Sequence, residues 1–375
     1  HRGRTRREGF TCMTDDAPKD LGALRARIDG IDDSLLKLVS ERADIARQVG
    51  RAKNGEKIYR PEREAQIIRR LREANPGPLS GDTIERLIRE IMSACRALEA
   101  SSRIAYLGPA GTFSQQAVNK HFGHEVEALA EADIDACFQA VETGRAEFAV
   151  VPVENSTEGA VGRTLDLVVA SPLKICGEVM LPIHQMLMRK RSGLDGIARV
   201  YGHAQSLAQC QQWLARHLPN AERISVVSNS DGARRAAAEP DAATLGSKTA
   251  AELYDLVVVE ARIEDEASNT TRFLVLGRTD SAPSGRDKTS LVMSVKNQPG
   301  AVVRLLQPLA DAGISMSKLE SRPARLDHVG LGNWGYLFFV VCEGHREDAR
   351  LAAALAEIES RAAFLKVLGS YPAAS

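Results

Sequence analysis

The chain has 375 residues, of which 44% are hydrophobic, 26% charged and 5% aromatic. This length exceeds that of a single compact core, and the composition excludes a disordered chain, a collagen-like repeat and a coiled-coil rod. Lysine plus arginine (49) balance aspartate plus glutamate (49), so no net charge favours nucleic acid or an anionic membrane as a partner. We expect about two or three globular domains.

The sequence contains no targeting or spanning segment that we recognise. No apolar run approaches the roughly 18 residues of a membrane-spanning helix, and the N-terminal segment lacks the apolar centre of a secretory signal. We therefore predict a cytoplasmic protein whose residues 1–19 form a disordered extension. The six cysteines form no Cys-x-x-Cys pair, and His121 and His124 have no third ligand nearby. We expect neither disulfide bonds nor a metal site.

Residues 20–100 follow a helical period. A first helix is predicted from Asp20 to Lys53, a second begins at Pro61, and a third begins between Ser80 and Asp82. This region therefore reads as an all-α domain of three helices.

Strands and helices alternate over residues 102–280. Short apolar strands such as RIAYLG end in polar turns, and a helix is predicted over Ser206 to His217. Such alternation predicts an α/β domain with a largely parallel sheet, whose ligands bind beyond the carboxyl ends of the strands.

A loop rich in serine, proline and glycine, from Asp280 to Lys288, marks the next boundary. Residues 288–372 then follow the order βαββαβ, which predicts a small ferredoxin-like α+β sandwich. This fold recurs in regulatory and binding domains.

Two cations in the first helix lie where aliphatic residues are expected. Arg42 and Lys53 share a helical stripe with Leu35 and Val49. One interpretation is an internal salt bridge, for which Glu64 or Glu99 would be a partner. The other is that the cations line a pocket for a small anion.

Geometry links the anion pocket to a dimer. Arg25 and Arg42 are 17 residues apart, which is about 25 Å along one helix. If Arg25 also serves the pocket, it must come from a second, antiparallel copy of the helix.

The segments LGALRARIDGIDDSLLKLVSERADIARQVGRAK and YRPEREAQ resemble the AroQ-type chorismate mutase domain. With the motifs described below, residues 20–372 resemble the bifunctional chorismate mutase/prephenate dehydratase family, or P-proteins. The resemblance implies an intertwined all-α dimer in which Arg25 reaches the partner's site. It further implies that Arg42, Lys53, Arg63 and Glu64 form the other wall, and that Glu99 lies at the ether oxygen of the substrate.

This resemblance implies a unimolecular rearrangement of chorismate to prephenate without metal or cofactor. The cations orient two carboxylates, and Lys53 with Glu99 donates hydrogen bonds to the ether oxygen as negative charge grows there. Since a glutamate donates only when protonated, mutase activity should fall as pH rises, and Glu99→Gln should flatten the profile.

The segment Ser268 to Phe273 places a hydroxyl, a guanidinium and an aromatic ring at the start of a strand. Alone it is compatible with a plain core strand. Three further segments, GPAGTFSQQA, VVPVENSTEGAV and YGHAQSLAQC, also bring small and polar groups to strand ends. Together the four resemble the motifs of prephenate dehydratase, an α/β fold of two lobes like a periplasmic binding protein. The resemblance implies Thr271 as the catalytic hydroxyl, Arg272 as a carboxylate anchor, and as further substrate-binding residues Ser114, Asn155, Ser156, His203, Gln209 and Phe273.

Prephenate loses CO₂ and its ring hydroxyl, and the departing oxygen needs a proton or a strong hydrogen bond. Thr271 can supply that bond, while aromatisation drives the step. No Gly-x-Ser-x-Gly elbow supports a nucleophilic serine mechanism.

The βαββαβ unit carries two motifs, NQPGA and ESRP. They resemble those of the ACT domain of P-proteins, which binds phenylalanine at an interface between two chains. The resemblance implies an effector site formed by Gly300, Ala301, Glu320, Ser321, Arg322 and Pro323.

The leading interpretation is a homodimeric or larger bifunctional enzyme of phenylalanine synthesis, inhibited by its end product, with chorismate and prephenate as substrates. Two alternatives stay open: a monofunctional prephenate or arogenate dehydratase with a dimerising helical domain, and a non-enzymatic amino-acid sensor. Partners of the nucleic-acid or membrane class are not expected.

Overall fold

The computed structural model describes residues 20–52, 59–296, 298–324 and 335–374. The predicted extension 1–19 lies outside these residues, and so do Lys53, Asn297 and Trp334.

Three helices form the N-terminal region: α1 (Leu21–Ala52), α2 (Pro61–Glu73) and α3 (Gly81–Ala97). A proline begins α2, and the Ser80 hydroxyl caps α3 by accepting a hydrogen bond from the Thr83 amide at 3.2 Å. Helices α2 and α3 bury side chains, whereas α1 buries none of its 32 residues. The apolar stripe of α1 is therefore uncovered within the described part of one chain.

The α/β region has two lobes, each built on one sheet. The first lobe contains β1 (Arg103–Leu107), α4 (Phe113–Phe122), β2 (Glu127–Glu131), α5 (Ile134–Glu142), β3 (Phe148–Asn155), β4 (Gly159–Ala160), α6 (Gly162–Ala170), β5 (Lys174–Pro182) and β11 (Thr270–Gly277). Its strand order is β2-β1-β3-β11-β5, with β4 paired on β3.

The second lobe contains β6 (Met186–Arg189), β7 (Arg199–His203), α7 (Ala204–Gln209), α8 (Gln211–His217), β8 (Glu222–Val226), α9 (Asn229–Ala238), β9 (Ala242–Gly246), α10 (Lys248–Leu253) and β10 (Val257–Ala261). Its strand order is β10-β6-β9-β7-β8. The single helix predicted over Ser206 to His217 is two short helices that meet at Cys210.

The prediction of a largely parallel sheet is only partly right. Strands β1, β2 and β3 are parallel, as are β7, β8 and β9, but β11 is antiparallel to β3 and β5, and β6 is antiparallel to β9 and β10. Strand β11 returns from the second lobe and inserts between two strands of the first. Because it is buried on both faces, its apolar run gives no sign of its direction.

The C-terminal unit has the predicted βαββαβ order. Its elements are β12 (Asp287–Ser294), α11 (Ala301–Asp311), β13 (Met316–Pro323), β14 (Tyr336–Glu343), α12 (Ala349–Arg361) and β15 (Phe364–Pro372). The strand order β13-β14-β12-β15 is antiparallel throughout, and both helices pack on one face with Leu305 and Ile358 in the core.

The other face of the C-terminal sheet packs on the first lobe. Phe339, Leu368 and Tyr371 share one buried cluster with Val151 and Leu276 of the lobe. The approach is closest at Gly369, where an added Cβ would lie 2.1 Å from the carbonyl oxygen of Ile175. Strand β15 thus lies directly against β5.

The helical region covers the opposite face of the same lobe. Tyr59 packs its ring against those of Phe122 and Phe148, at centroid distances of 5.0 and 5.2 Å, and donates to or accepts from His121 Nε2 at 2.7 Å. The sheet of the first lobe is therefore enclosed between the helical region and the C-terminal unit.

Among the described residues, no helix is long and apolar enough to cross a membrane. The cytoplasmic location stays a prediction.

Candidate functional site

The catalytic threonine predicted from sequence lies at the start of β11, beside the end of β3. Thr271 pairs with Asn155 in the strand register, and the Asn155 side-chain amide donates a hydrogen bond to the Thr271 hydroxyl at 2.9 Å. The Thr271 side chain is nearly buried, with 9% of its surface exposed. Because this bond uses an acceptor position of the hydroxyl oxygen, the hydroxyl hydrogen stays available to another acceptor.

The orientation of the Asn155 amide is set by its neighbours. Its oxygen accepts from the backbone amides of Thr157 and Glu158 at 3.0 and 3.2 Å, and its nitrogen also donates to the Asn269 side-chain oxygen at 2.9 Å. Backbone amides can only donate, so the amide nitrogen must face Thr271. Asn269 was not predicted; its place in the motif just before Thr271 was the available signal.

The two predicted serines lie in different elements. Ser156 Oγ accepts from the Thr270 amide at 2.9 Å, and the Ser156 amide donates to the Thr270 carbonyl at the same distance, which fixes the strand ends together. Ser114 is buried in the first turn of α4. Ser156 therefore supports the backbone at the site.

The second lobe contributes His203 and Gln209. His203 is exposed at the carboxyl end of β7, where its ring accepts from the Gln205 amide at 3.4 Å. Gln209 accepts from the Gln185 side chain at 3.2 Å, and that amide also donates to Ser206 at 3.1 Å. The structure thus places His203 at a strand end. It places Gln209 in a hydrogen-bond network with Gln185, which lies in the connection from β5 of the first lobe to β6 of the second.

The structure does not bring Arg272 and Phe273 to the Thr271 hydroxyl. Phe273 is 2% exposed in the aromatic core below the helical region. Arg272 points to the other side of the sheet, where its guanidinium donates to Glu178 and to the Tyr371 hydroxyl, both at 2.9 Å. Arg272 faces away from Thr271 because consecutive strand side chains face opposite sides, which argues against its predicted contact with the substrate. Phe273 shares the side of Thr271 but is enclosed in the core, so its substrate contact stays a prediction.

In the helical region, Glu64 has a different partner from the one expected. It forms a buried ion pair with Arg96, whose other nitrogen donates to the Phe122 carbonyl at 2.5 Å. Burial raises the pKa of Glu64, while Arg96 opposes that shift. Arg96 was not predicted, and no pattern in the sequence distinguishes it from the other arginines of α3.

The expectation of buried cations is wrong for the single chain. Arg25, Arg42 and Arg63 are all exposed, and Lys53 lies outside the described residues. The reason is that the α1 stripe itself is uncovered. Burial raises the pKa of Glu64, and Arg42 opposes that shift less than Arg96 and Arg89 do.

Glu99 lies against α1. An added Cβ at Gly50 would be 2.8 Å from Glu99 Cγ and 3.0 Å from Glu99 Oε2, so the Glu99 side chain packs directly on the backbone of α1 at this glycine. Glu99 Oε2 is buried and has no hydrogen-bond partner among the described residues. A buried carboxyl oxygen without a partner is suited to meet a ligand.

The predicted effector residues fall into two groups. Gly300 has a left-handed backbone (φ 73°) at the start of α11, and Ala301 is buried in its first turn. Glu320, Ser321, Arg322 and Pro323 end β13. Arg322 donates to the Gly162 carbonyl at 2.8 Å and pairs with Asp166 at 3.2 Å, so this motif contacts the first lobe.

The two histidines with metal-ligand spacing have other partners. His121 bonds Tyr59, and His124 Nδ1 is 2.8 Å from Glu90. Burial, reinforced by Arg89 and Arg96, holds the pKa of His121 well below its usual range.

The fold and site together define a multidomain enzyme with a helical domain, a two-lobed α/β domain and an ACT-type sandwich. Three family models match in this order: chorismate mutase type II at residues 24–100, prephenate dehydratase at 104–281 and the ACT domain at 289–360. The chain is 52% identical over 353 residues to a bifunctional chorismate mutase/prephenate dehydratase of Neisseria gonorrhoeae, covering 93% of this chain and 96% of that one. It belongs to the bifunctional chorismate mutase/prephenate dehydratase family.

More distant relatives agree. The protein of the same name from Escherichia coli is 33% identical over 389 residues, covering 96% of this chain and 97% of that one. Among solved structures, the prephenate dehydratase of Arthrobacter aurescens in complex with L-Phe is 32% identical, with a TM-score of 0.64, over 72% of this chain and 90% of that one.

Proposed function

We propose that this enzyme converts chorismate to prephenate in its helical domain and prephenate to phenylpyruvate in its two-lobed domain, under inhibition by phenylalanine. The observation that carries the proposal is the hydrogen bond from the Asn155 side chain to the Thr271 hydroxyl, where β3 ends and β11 begins. It leaves a hydroxyl hydrogen free in the segment whose resemblance to prephenate dehydratase implies the catalytic hydroxyl.

In the dehydratase step, the substrate carboxylate leaves as CO₂ and the electrons of the broken C–C bond enter the ring. The ring hydroxyl departs as the ring becomes aromatic, and it takes up a proton to leave as water. The Thr271 hydroxyl donates a hydrogen bond to this departing oxygen as negative charge develops on it. Asn155 holds the Thr271 oxygen in place, so the donor needs little reorganisation.

In the mutase step, charge and positioning act without a covalent intermediate. Arg42, Lys53 and Arg63 orient the substrate carboxylates, and protonated Glu99 donates to the ether oxygen as the C–O bond breaks. The unpartnered Glu99 Oε2 supports this role. Glu64 belongs to the same wall and is held there by Arg96.

The mutase site requires a second copy of the chain. Arg25 is too far along α1 to reach the pocket of its own chain, and large aliphatic side chains of α1 are exposed, Ile28 by 56%, Ile31 by 57% and Leu35 by 54%. A water-exposed stripe of this length favours a partner helix. A homodimer would cover the stripe and supply Arg25 in the same step.

Phenylalanine binds the ACT domains in this proposal. Gly300 allows the backbone to approach a ligand closely, and the Glu320 to Pro323 motif lies beside the first lobe. Phenylalanine inhibits only if it binds two conformations of the enzyme with different affinities.

The test mixes the purified enzyme with chorismate, with and without phenylalanine, and follows chorismate, prephenate and phenylpyruvate together. We expect phenylpyruvate to form and phenylalanine to slow its formation. Thr271→Ala should abolish phenylpyruvate and let prephenate accumulate, whereas Thr270→Ala, a matched loss of a neighbouring hydroxyl, should retain both activities. Phenylpyruvate formation by Thr271→Ala would remove that hydroxyl from the mechanism. If the enzyme leaves chorismate intact but converts supplied prephenate, the helical domain has no mutase activity and serves only for dimerisation.

A further inference from the structure

The two strands that carry Asn155 and Thr271 each carry a charged residue at the adjacent position. Glu154 precedes Asn155, Arg272 follows Thr271, and the register pairs Arg272 with Glu154 just as it pairs Thr271 with Asn155. Since successive strand side chains face opposite sides of a sheet, the polar pair and the charged pair point in opposite directions. The charged pair faces the ACT domain.

Arg272 is tied to the ACT domain through a buried network. Its Nε donates to Glu178 at 2.9 Å, and the other oxygen of Glu178 accepts from Lys288 Nζ at 2.6 Å. Its Nη2 donates to the Tyr371 hydroxyl at 2.9 Å, which lies 2.7 Å from Ser290 Oγ. Glu178 is 4% exposed. Lys288, Ser290 and Tyr371 all belong to the ACT sheet, so the network joins β11 to β12 and β15.

Glu154 is tied to the same domain by a second contact. Lys318 of β13 lies 2.8 Å from Glu154 and 3.0 Å from Glu320, the first residue of the predicted effector motif. One ammonium group therefore joins the end of strand β3 to that motif.

We propose that Glu154 and Arg272 are positioning residues, which hold Asn155 and Thr271 from the far side of the sheet. Glu154 does so through its ion pair with Lys318 of the ACT domain, and Arg272 through its hydrogen bond to Tyr371 and through Glu178, which Lys288 of the ACT domain also contacts. The proposal depends on the proposed function, since it concerns how that site is regulated. Moving the ACT sheet away would break the partly exposed Lys318–Glu154 pair and would take Lys288 from the buried carboxylate of Glu178, and the loss of a partner by a buried charge is costly. A displacement of the ACT sheet therefore pulls on both strand ends and changes the geometry of the hydroxyl and the amide.

The first experiment uses Lys318→Gln in the full-length enzyme. Dehydratase kcat and KM are measured with prephenate supplied directly, phenylalanine is titrated, and the mutase rate with chorismate reports whether the chain is folded. We expect kcat to fall about tenfold, with KM unchanged, as single positions in a coupled network can produce. The phenylalanine concentration for half inhibition should shift by a similar factor, and Lys318→Arg should restore both values.

Arg346→Gln is the matched control. Arg346 also forms an ion pair between the ACT domain and the lobe, with Asp280 at 3.0 Å, but Asp280 lies outside the two strands. We expect this variant to keep the wild-type kcat and phenylalanine response. An equal effect of both variants would mean general loosening of the interface and would overturn the proposal, as would a Lys318→Gln enzyme with wild-type kcat and response.

Tyr371→Phe tests the Arg272 connection by removing one hydroxyl. We expect the same signature, a lower kcat at constant KM with a shifted phenylalanine response and an unchanged mutase rate. A change in KM alone would contradict a positioning role. A wild-type enzyme that does not convert prephenate would refute the proposed function itself. A wild-type enzyme that converts prephenate, together with Lys318→Gln and Tyr371→Phe variants whose kcat and phenylalanine response match the wild type, would refute only the positioning role.

Discussion

Replacing Gly369 by alanine is the most direct test of how the ACT domain is attached to the dehydratase lobe. The new Cβ would lie 2.1 Å from the carbonyl oxygen of Ile175 and 2.8 Å from its amide nitrogen. Both neighbours are backbone atoms of β5, which is paired with β11, so neither can move aside as a flexible side chain would. The two strands must separate by about 1 Å to restore a normal contact.

Overpacking of this kind costs about 3 kcal/mol, at the upper end of the usual range, because no side chain can absorb it. At about 4–8 °C per kcal/mol for a unit of this size, the unfolding transition of the ACT domain should fall by more than about 10 °C. Phenylalanine inhibition should weaken as well, while the mutase rate stays normal. Ser360→Ala, at an exposed position of α12, is the control.

Differential scanning calorimetry with a phenylalanine titration of dehydratase activity measures both effects. A Gly369→Ala protein with the wild-type transition and the wild-type inhibition curve would refute the close packing of β15 on β5. It would also weaken the argument that the ACT domain acts through this interface.

Two further predictions concern pH and assembly. Burial keeps the native His121 neutral, whereas the unfolded chain takes up a proton near pH 6.5. The free energy of unfolding should therefore drop by about 1.4 kcal/mol at pH 5.5, and denaturant titration of His121→Gln should show a smaller drop. Ile31→Lys should give monomers by size-exclusion chromatography and lose mutase activity but not dehydratase activity, while Lys37→Gln should stay dimeric.

The sequence predicted the local elements well because their signals are local. The helical period, the proline at the start of α2 and the βαββαβ order each depend on neighbouring residues, and each is observed. The direction of β11 was harder to predict, because this strand pairs with strands that lie 88 or more residues earlier in the chain. Such pairings depend on the whole fold.

The Thr-Arg-Phe motif shows the same limit within the site. Strand alternation alone already places Arg272 on the side opposite Thr271. What the sequence could not show is which side holds the cleft and which the ACT domain. The sequence offered one sign of the side that faces the ACT domain, namely Glu178, a carboxylate in the middle of the mostly apolar strand KICGEVMLP. A buried carboxylate requires cations, and Arg272 with Lys288 provides them.

The ACT domain contacts the dehydratase lobe and the mutase domain at different places. On one face of the first lobe, Lys318 of the ACT domain forms an ion pair with Glu154, next to Asn155, and Tyr371 accepts a hydrogen bond from Arg272, next to Thr271. On the other face, the mutase domain contacts the lobe through Arg96, which pairs with Glu64 and bonds the last residue of α4. The helical region also contacts the C-terminal unit directly, since α2 packs against β15 and the Arg69 guanidinium donates to the Ser284 carbonyl at 2.6 Å. A shift of the ACT sheet therefore reaches the dehydratase strands at the residues adjacent to Asn155 and Thr271, and it reaches the mutase domain at α2, the helix that carries Glu64.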